Sequence, residues 1–336
     1  MREAILWEPA GEGRVRCALC AHRCLIPAGK RGVCAVRENG DGTLYSLVYG
    51  RLVSQALDPI EKKPLYHFLP GSLALSIAAV GCNLRCDFCQ NHVISQYPRE
   101  HRGRILGEPV SPEDVVRAAK DTGAPVIAYT YTEPTVFFEM CQDTGALASR
   151  EGIRNVFVSN GYLTAEAATE AKPFLHGINV DLKAFSEEFY RRYCGASLQP
   201  VLDTIRRMVA QGVWVEVTTL VIPGRNDSDE ELKWIAEFLA GVSPDIPWHV
   251  SRFVPSYRVH DRPPTPFATL RRARDIGREA GLKFVYLGNF PGEGEDTVCP
   301  SCGGVVIRRQ GFQLIANDLT DDHCPDCGET LPGVWS

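Results

Sequence analysis

The chain has 336 residues, of which 44% are hydrophobic and 23% charged, and its net charge is -5 at pH 7. This length accommodates one barrel-sized domain with appendages, and the acidic balance offers no basic surface for general nucleic-acid binding. Apolar runs stay below the roughly 18 residues of a membrane span, and Glu3 and Glu8 occupy the stretch where a signal peptide would be apolar. We therefore expect a cytoplasmic protein without a membrane partner, and a nucleic-acid partner is unsupported.

Most of the 13 cysteines fall into closely spaced groups. In a reducing compartment such groups indicate metal ligands rather than a disulfide framework. The exceptions are Cys141 and Cys194, which lie in apolar or aromatic stretches. We expect both of these thiols to be buried by packing.

The first group comprises Cys17, Cys20, Cys24 and Cys34, in a C-x2-C-x3-C-x9-C pattern. Four thiolates complete a closed metal site, so His22 between them is not needed as a ligand. Zinc and an auxiliary iron–sulfur cluster both accept four cysteines, and the spacing separates them poorly. Of the two, we expect zinc.

Residues 1–68 are predicted to form this Cys-rich metal-binding region and a connector. The alternation at 43–53 predicts two short strands with a turn between them. Pro59 and Pro64, with Pro70 just beyond, favour an extended connector over a helix at 58–68. The connector either lines a site next to the following cysteines or packs as a linker.

From residue 69 to residue 296 the pattern predicts an α/β barrel or parallel sheet, because strand-like and helix-like segments alternate. Helices between the strands are opened by caps at 111–114 and 227–231. In this class of fold the chemistry gathers at the carboxyl ends of the strands. The strand-like segments are 73–80, 125–130, 155–159, 178–182, 213–222, 248–253 and 283–287.

Directly after the first of these strands come Cys82, Cys86 and Cys89, with the aromatic Phe88 before the third cysteine. Three thiolates at this C-x3-C-x2-C spacing can hold three irons of a [4Fe-4S] cluster and leave the fourth iron open to a ligand. A structural zinc loop, or three unrelated buried cysteines, is the alternative.

Polar residues at or near the later strand ends are candidates for ligand binding: Glu133, Ser159, Asn160, Asp181, Lys183 and Thr218. Glu133 can accept a hydrogen bond from a ligand ammonium. Ser159 and Asn160 either bond a ribose or carboxylate or form a tight turn. Asp181 and Lys183 either bind a zwitterionic ligand or pair with each other. Thr218 either faces the ligand or is an ordinary strand-forming residue. The loop 288–296 either holds substrate or links domains.

Residues 297–336 contain two C-P-x-C-G knuckles, formed by Cys299 with Cys302 and by Cys324 with Cys327. These knuckles predict a zinc ribbon or a rubredoxin-like iron site, and zinc is favoured. The segment is too short to fold without its metal. We expect this module to be structural and separable from the chemistry, because its ligand set is closed.

The cysteine motif at 82–89 resembles the signature of the radical S-adenosylmethionine (SAM) superfamily. This resemblance implies a partial (β/α)6 barrel, in which the unique iron of the cluster chelates SAM. Glu133 stands where the superfamily has a Gly-Gly-Glu motif that binds the SAM amino group, but Tyr131 and Thr132 replace the two glycines. The Asp-Leu-Lys triplet at 181–183 resembles that of glycyl-radical activating enzymes, where the lysine contacts SAM.

Over nearly its full length the chain resembles the radical SAM enzyme of the AmmeMemoRadiSam system, which is related to pyruvate formate-lyase activating enzymes. The matching stretches are 17–37, 58–68, 82–91, 131–135 and 288–302. The resemblance implies an oxidoreductase that cleaves SAM to methionine and a 5′-deoxyadenosyl radical, which abstracts hydrogen from an unidentified substrate. It also implies a low-potential electron donor of the flavodoxin or ferredoxin type, and two partner protein families. A glycyl-radical enzyme activase and a non-catalytic, metal-rich electron carrier are the alternatives.

Overall fold

The structure, a computed structural model, describes residues 1–290 and 292–336. Pro291, within the predicted loop 288–296, lies outside the described residues. The N-terminal region consists of short strands, most of them in two small antiparallel sheets with the orders β1-β6-β5 and β2-β3-β4. These strands are β1 (Arg2–Glu3), β2 (Trp7–Pro9), β3 (Val15–Cys17), β4 (Leu25–Ile26), β5 (Arg37–Gly40), β6 (Thr43–Ser46) and β7 (Arg51–Leu52).

The predicted connector 58–68 begins inside a strand of the large sheet. Strand β8 (Ser54–Pro59) pairs antiparallel with β9 (Leu73–Ala78), the strand that precedes the cysteine motif. A 3-10 turn follows at Ile60–Lys62. The connector is therefore not wholly extended, because its first residues complete a ladder and the next ones turn to bring the chain back across the sheet.

The large sheet has eight strands in the order β16-β15-β14-β13-β12-β11-β9-β8, and every pair from β9 to β16 is parallel. All carboxyl ends of the parallel strands therefore lie at one edge, as predicted, whereas the closure of a partial barrel stays a prediction. Outside this sheet, β10 (Glu108–Pro109) pairs with β7. The remaining strands are β11 (Val126–Tyr129), β12 (Arg154–Ser159), β13 (Gly177–Asp181), β14 (Trp214–Val221), β15 (Trp248–Arg252) and β16 (Val285–Gly288).

Helices connect the parallel strands, and two of them begin at the predicted caps. Ser111 accepts a hydrogen bond from the backbone of Asp114, and Ser228 does so from Glu231, so each cap satisfies a free N–H of the first helical turn. A 3-10 turn occupies 134–137 and a π-helical turn occupies 190–194. The helices are α1 (His92–Ser95), α2 (Tyr97–Glu100), α3 (Pro112–Asp121), α4 (Phe138–Arg150), α5 (Ala165–Ala171), α6 (Glu187–Phe189), α7 (Gln199–Ala210), α8 (Asp229–Val242) and α9 (Phe267–Glu279).

The two faces of the large sheet belong to different hydrophobic clusters. Along β11, Ile127 and Tyr129 pack in the main helix-covered core, whereas Val126 and Ala128 pack with residues of the connector. This alternation follows from the two-residue period of a strand. The connector therefore covers the face of the sheet opposite to the helices. None of the helices in the described part of the chain has the length and hydropathy needed to cross a membrane.

The C-terminal segment forms a three-stranded antiparallel sheet of β17 (Thr297–Val298), β18 (Val305–Gln310) and β19 (Gln313–Asn317). Its residues share a buried cluster with Tyr66 of the connector and Tyr286 of β16. Arg309 is buried over the Tyr66 ring, 4.4 Å from its centroid, and forms an ion pair with Glu61 at 3.6 Å. The module is therefore part of the core and contributes to the stability of the sheet.

His67 joins this segment to the sheet and is fully buried. Its Nδ1 donates to the carbonyl oxygen of Pro332 at 2.7 Å, and its Nε2 lies 2.6 Å from the hydroxyl of Tyr286. Burial lowers the pKa of His67 to about 4, although neighbouring Glu216 opposes this shift. The imidazole is therefore neutral at pH 7.

We predict that acid weakens the fold through His67. Since the unfolded side chain binds a proton near pH 6.5 and the folded one does not, the unfolding free energy should fall by about 1 kcal/mol between pH 7.5 and 5.5. The change from His67 to Gln (H67Q) should remove this part of the pH dependence, and exposed His101 changed to Gln should retain it. Chemical denaturation at both pH values measures the slopes. Equal slopes in wild type and H67Q would contradict the assignment.

Candidate functional site

The three cysteines of the central motif lie in an irregular loop that leaves the carboxyl end of β9. Cys82 and Cys86 are buried and Cys89 is partly buried. Gly81 opens the loop with φ of +98°, and a Cβ there would lie 2.6 Å from Val36 Cγ1. Glycine is thus required for both the backbone conformation and the close approach of the N-terminal region.

The thiols of this loop face hydrogen-bond donors. Leu84 donates its backbone N–H to Cys82 Sγ at 3.4 Å, and Cys89 Sγ lies 3.3 Å from Ser95 Oγ. A hydrogen bond with Cys194, together with burial, raises the pKa of Cys86. Buried thiolates need compensating positive charge. Three such sulfurs with N–H and O–H donors fit an iron–sulfur cluster, which would supply that charge.

Glu133, Ser159 and Asn160 form one buried network beside Cys82. Glu133 Oε1 accepts hydrogen bonds from Ser159 Oγ at 2.8 Å and Thr135 Oγ1 at 2.5 Å, and Oε2 accepts from the Asn160 N–H at 2.8 Å. Asn160 Nδ2 lies 3.6 Å from Cys82 Sγ. Burial raises the pKa of Glu133, and the hydrogen bonds oppose the shift. Both carboxylate oxygens are thus engaged within the protein, and contact with a ligand ammonium stays a prediction.

Tyr131 adopts the backbone conformation for which a glycine is usually chosen. Its φ is +65°, in the left-handed region. Tyr131 therefore holds a conformation that a glycine would adopt without steric cost. The Tyr131 hydroxyl donates a hydrogen bond to Asp58, and its ring lies 4.5 Å from Lys63 Nζ.

Asp58 and Lys63 are site residues that the sequence analysis did not single out. Lys63 Nζ lies 2.6 Å from Asp58 Oδ2, and the lysine side chain is 1% exposed. Burial lowers the pKa of Lys63, and the hydrogen bond with Asp58 opposes this shift. The polar character of the connector was visible in the sequence, but its contact with Tyr131 depends on the pairing of β8 with β9.

Asp181 and Lys183 form an ion pair at the end of β13, with Oδ2 and Nζ 3.0 Å apart. The aspartate side chain is 38% exposed, so it remains accessible to a ligand, whereas the lysine is 13% exposed. Burial alone lowers the pKa of Lys183, but Asp181 and Cys86 raise it well above its usual value. Lys183 Nζ lies 5.9 Å from the Phe88 ring, so the pair borders the cysteine loop.

Thr218 lies beside Asp181 in the register of β13 and β14. Its hydroxyl donates to Asn179 Oδ1 at 2.9 Å, and Asn179 Nδ2 in turn donates to the carbonyl oxygen of Pro64. The threonine therefore helps to hold the connector against the sheet. A contact between Thr218 and a ligand stays a prediction.

The remaining cysteines form two further groups, one on each side of the central motif in sequence. Cys17, Cys20, Cys24 and Cys34 line one pocket. In the C-terminal group, Sγ atoms lie 3.6 Å apart for Cys299 and Cys327 and 3.7 Å apart for Cys302 and Cys324. These four ligand atoms all lie within 4.8 Å of one another, so they could hold a metal ion. The two leftover cysteines, Cys141 and Cys194, are buried as predicted.

A family model described as the radical SAM superfamily matches residues 76–239. The middle of the chain is therefore a radical SAM domain. The match begins in β9 and ends in α8, so it includes the central cysteine motif and the strand ends from β9 to β14. Both other cysteine groups lie outside the radical SAM match.

Other proteins are similar to this chain in sequence or in structure. An uncharacterized protein of Methanocaldococcus jannaschii is 44% identical over 335 residues, which are 98% of this chain and 99% of the relative. Pyruvate formate-lyase 1-activating enzyme of Escherichia coli is 23% identical over 167 residues, or 47% of this chain and 65% of that enzyme. The crystal structure of Streptococcus suis SuiB bound to S-adenosylmethionine has a TM-score of 0.51 at 16% identity, covering 68% of this chain and 53% of SuiB. The structural likeness to SuiB shows a shared fold over that part of the chain.

We predict that Lys183 changed to Met (K183M) raises the SAM concentration needed for half-maximal cleavage about tenfold, because one charge-assisted hydrogen bond is worth roughly 1.5 kcal/mol. Iron content should stay unchanged. The control is Lys233, a 64% exposed lysine of α8 changed to Met, which should behave as wild type. SAM-dependent formation of 5′-deoxyadenosine measures the effect. Lost iron or lost folding in K183M would indicate a purely structural Asp–Lys pair.

Proposed function

We propose that this protein is an enzyme that binds a [4Fe-4S] cluster through Cys82, Cys86 and Cys89 and cleaves SAM reductively. When bound, the cluster supplies one electron to the C5′–S bond of SAM, which yields methionine and a 5′-deoxyadenosyl radical for hydrogen abstraction. One observation carries the proposal: three thiols meet the Glu133 network and the Asp181–Lys183 pair at the carboxyl edge of a parallel sheet.

The protein's own residues would bind and orient SAM. Asp181 and Lys183 present opposite charges, which suits the amino and carboxylate groups of a zwitterion. The Glu133 carboxylate holds the Asn160 backbone N–H and the Ser159 hydroxyl in fixed positions next to Cys82. Such preorganisation lowers the entropic cost of placing the sulfonium beside the cluster. Burial of the loop excludes water from a reactive radical.

The proposed partners follow from this chemistry. A low-potential donor of the flavodoxin or ferredoxin type would supply the electron, and two partner protein families are expected if the chain belongs to the AmmeMemoRadiSam system. Similarity to pyruvate formate-lyase 1-activating enzyme favours one second candidate, the activation of a glycyl-radical enzyme. A glycyl-radical signal in a partner protein, measured by electron paramagnetic resonance (EPR), would distinguish that activity from modification of a small molecule.

We predict that Cys82, Cys86 and Cys89 are each indispensable. A change of any one to Ala should lower 5′-deoxyadenosine formation at least 100-fold, or about 2.7 kcal/mol in transition-state free energy, because the cluster loses a ligand. Buried Cys141 changed to Ala is the matched control and should retain SAM cleavage.

The measurement is anaerobic turnover with dithionite, followed by quantification of 5′-deoxyadenosine. In wild type, added SAM should also change the EPR spectrum of the reduced cluster, because a cluster held by Cys82, Cys86 and Cys89 would leave one iron open to SAM. Wild-type turnover in any single variant would refute the ligand assignment. An EPR spectrum that SAM leaves unchanged would favour the alternative of a closed electron carrier.

We also propose that the C-terminal cysteines hold a structural zinc ion. The two exposed ligands, Cys302 and Cys327, can be changed to Ser while the buried side chains of Arg309 and His67 stay in the chain. Deleting the whole segment would instead leave Glu61 without its buried partner. Point variants therefore test the metal more cleanly than a truncation.

We predict that the double variant C302S/C327S loses about one zinc per chain and unfolds at a lower temperature, while dithionite-driven SAM cleavage persists. Elemental analysis, thermal unfolding and 5′-deoxyadenosine assays provide the three readouts. Iron at this site in protein from the native host would identify a rubredoxin-like centre instead. Abolished cleavage in folded, cluster-replete protein would show that the module is needed for the chemistry.

A further inference from the structure

The N-terminal cysteines surround a single pocket that the proposed function does not use. Cys17, Cys20, Cys24 and Cys34 line it together with Arg37. They are brought together by different local structures, since Cys17 ends β3 and Cys20 forms an isolated bridge with Leu163. Four thiols that line one pocket are candidate ligands for a metal centre.

The distances between cysteine sulfurs distinguish a site for a single metal ion from a site for an iron–sulfur cluster. A zinc ion with Zn–S bonds of about 2.3 Å requires tetrahedral sulfurs roughly 3.8 Å apart. The C-terminal cysteines meet this condition, with Sγ contacts of 3.6 and 3.7 Å. Among the residues that the structure describes, theirs is the one group of at least three Cys, His, Asp or Glu ligand atoms lying mutually within 4.8 Å.

Two other cysteine groups, among the described residues, contain no three ligand atoms that lie mutually within 4.8 Å. One is the set Cys82, Cys86 and Cys89, whose motif is that of a [4Fe-4S] cluster. The other is the N-terminal set. A four-iron cluster has one thiolate on each iron, so its ligands stand farther apart than those of one ion. In the spacing of its ligand atoms, the N-terminal set is like the motif at Cys82, Cys86 and Cys89 and unlike the C-terminal cysteines.

We propose that Cys17, Cys20, Cys24 and Cys34 hold a second [4Fe-4S] cluster, not zinc. This replaces the expectation of zinc drawn from the sequence spacing. With four cysteines, every iron is ligated, so this cluster has no open position and does not bind SAM.

Charges and N–H donors around the pocket suit a cluster of thiolates. The buried Arg37 guanidinium donates to Cys17 Sγ at 3.3 Å, and the Val33 N–H donates to Cys24 Sγ at 3.4 Å. Glu139 forms an ion pair with Arg37 and balances its charge. Hydrogen bonds to cluster sulfurs and nearby charges are the means by which proteins adjust cluster potentials.

The pocket adjoins the loop that holds the central cysteines. The Arg99 guanidinium donates to the carbonyl oxygen of Val33 at 2.5 Å and to that of Cys82 at 2.7 Å. His22 Nε2 lies 2.8 Å from the Asn83 carbonyl oxygen, so the histidine also joins the two loops. The second cluster would thus lie next to the first.

The experiment uses full-length C82A/C86A/C89A protein, purified anaerobically without added iron. Since the first cluster is removed, about four irons and four sulfides per chain should remain, and SAM should not alter the EPR spectrum of the reduced protein. Wild type should contain about eight irons and one zinc per chain. Two zincs and no iron in the folded triple variant would overturn the proposal.

Mössbauer spectroscopy of wild type keeps the proposal testable if the triple variant does not fold. Two cluster populations should appear, and SAM should change one iron site in only one of them. A single cluster population together with two zincs per chain would refute the second cluster. This test distinguishes failure of the second cluster from failure of the proposed SAM chemistry. If two clusters were present and SAM changed the spectrum of neither, the SAM chemistry would be refuted and the second cluster would be supported.

Discussion

The buried carboxylate of Glu133 is the interaction on which the arrangement of the site depends. It follows β11, and it binds Ser159 and the backbone of Asn160 at the end of β12. Asn160 in turn donates to Asn83 at 2.8 Å, inside the cysteine loop after β9. A buried carboxylate is tolerated only when its oxygens are satisfied, so the three strand ends are held in one relative position.

The opposite face of the sheet is held by buried ion pairs and by the buried carboxylate of Glu216, which accepts hydrogen bonds from the backbone N–H groups of Tyr66 and His67. Lys63 with Asp58 holds the connector, and Arg309 with Glu61 holds the C-terminal segment. Removing one partner of such a pair leaves an uncompensated buried charge, which typically costs about 3–5 kcal/mol. The connector and the C-terminal segment therefore act as one layer under the sheet. The cysteine loop of residues 82–89 lies instead at the carboxyl ends of the parallel strands.

Three cysteine groups with different geometries share one chain. The four C-terminal sulfurs all lie within 4.8 Å of one another, and among the described residues the other two groups contain no three ligand atoms that close together. The radical SAM match covers the middle of the chain, and the M. jannaschii relative aligns over almost all of it. The outer cysteine groups lie outside the radical SAM match, and the activating enzyme aligns with 47% of this chain.

The sequence by itself determined those features whose signals are local. The C-x3-C-x2-C spacing, the strand and helix periodicities and the caps at Ser111 and Ser228 each depend on residues close together in the chain, and the structure confirms the parallel order that they predict. Tertiary structure alone decided contacts between distant segments. The position of the four N-terminal cysteines around one pocket, the pairing of Arg37 with Glu139 across 102 residues, and the contact of Asp58 with Tyr131 follow from how the elements pack. Residue spacing bounds how far two side chains lie apart, but packing determines whether they meet.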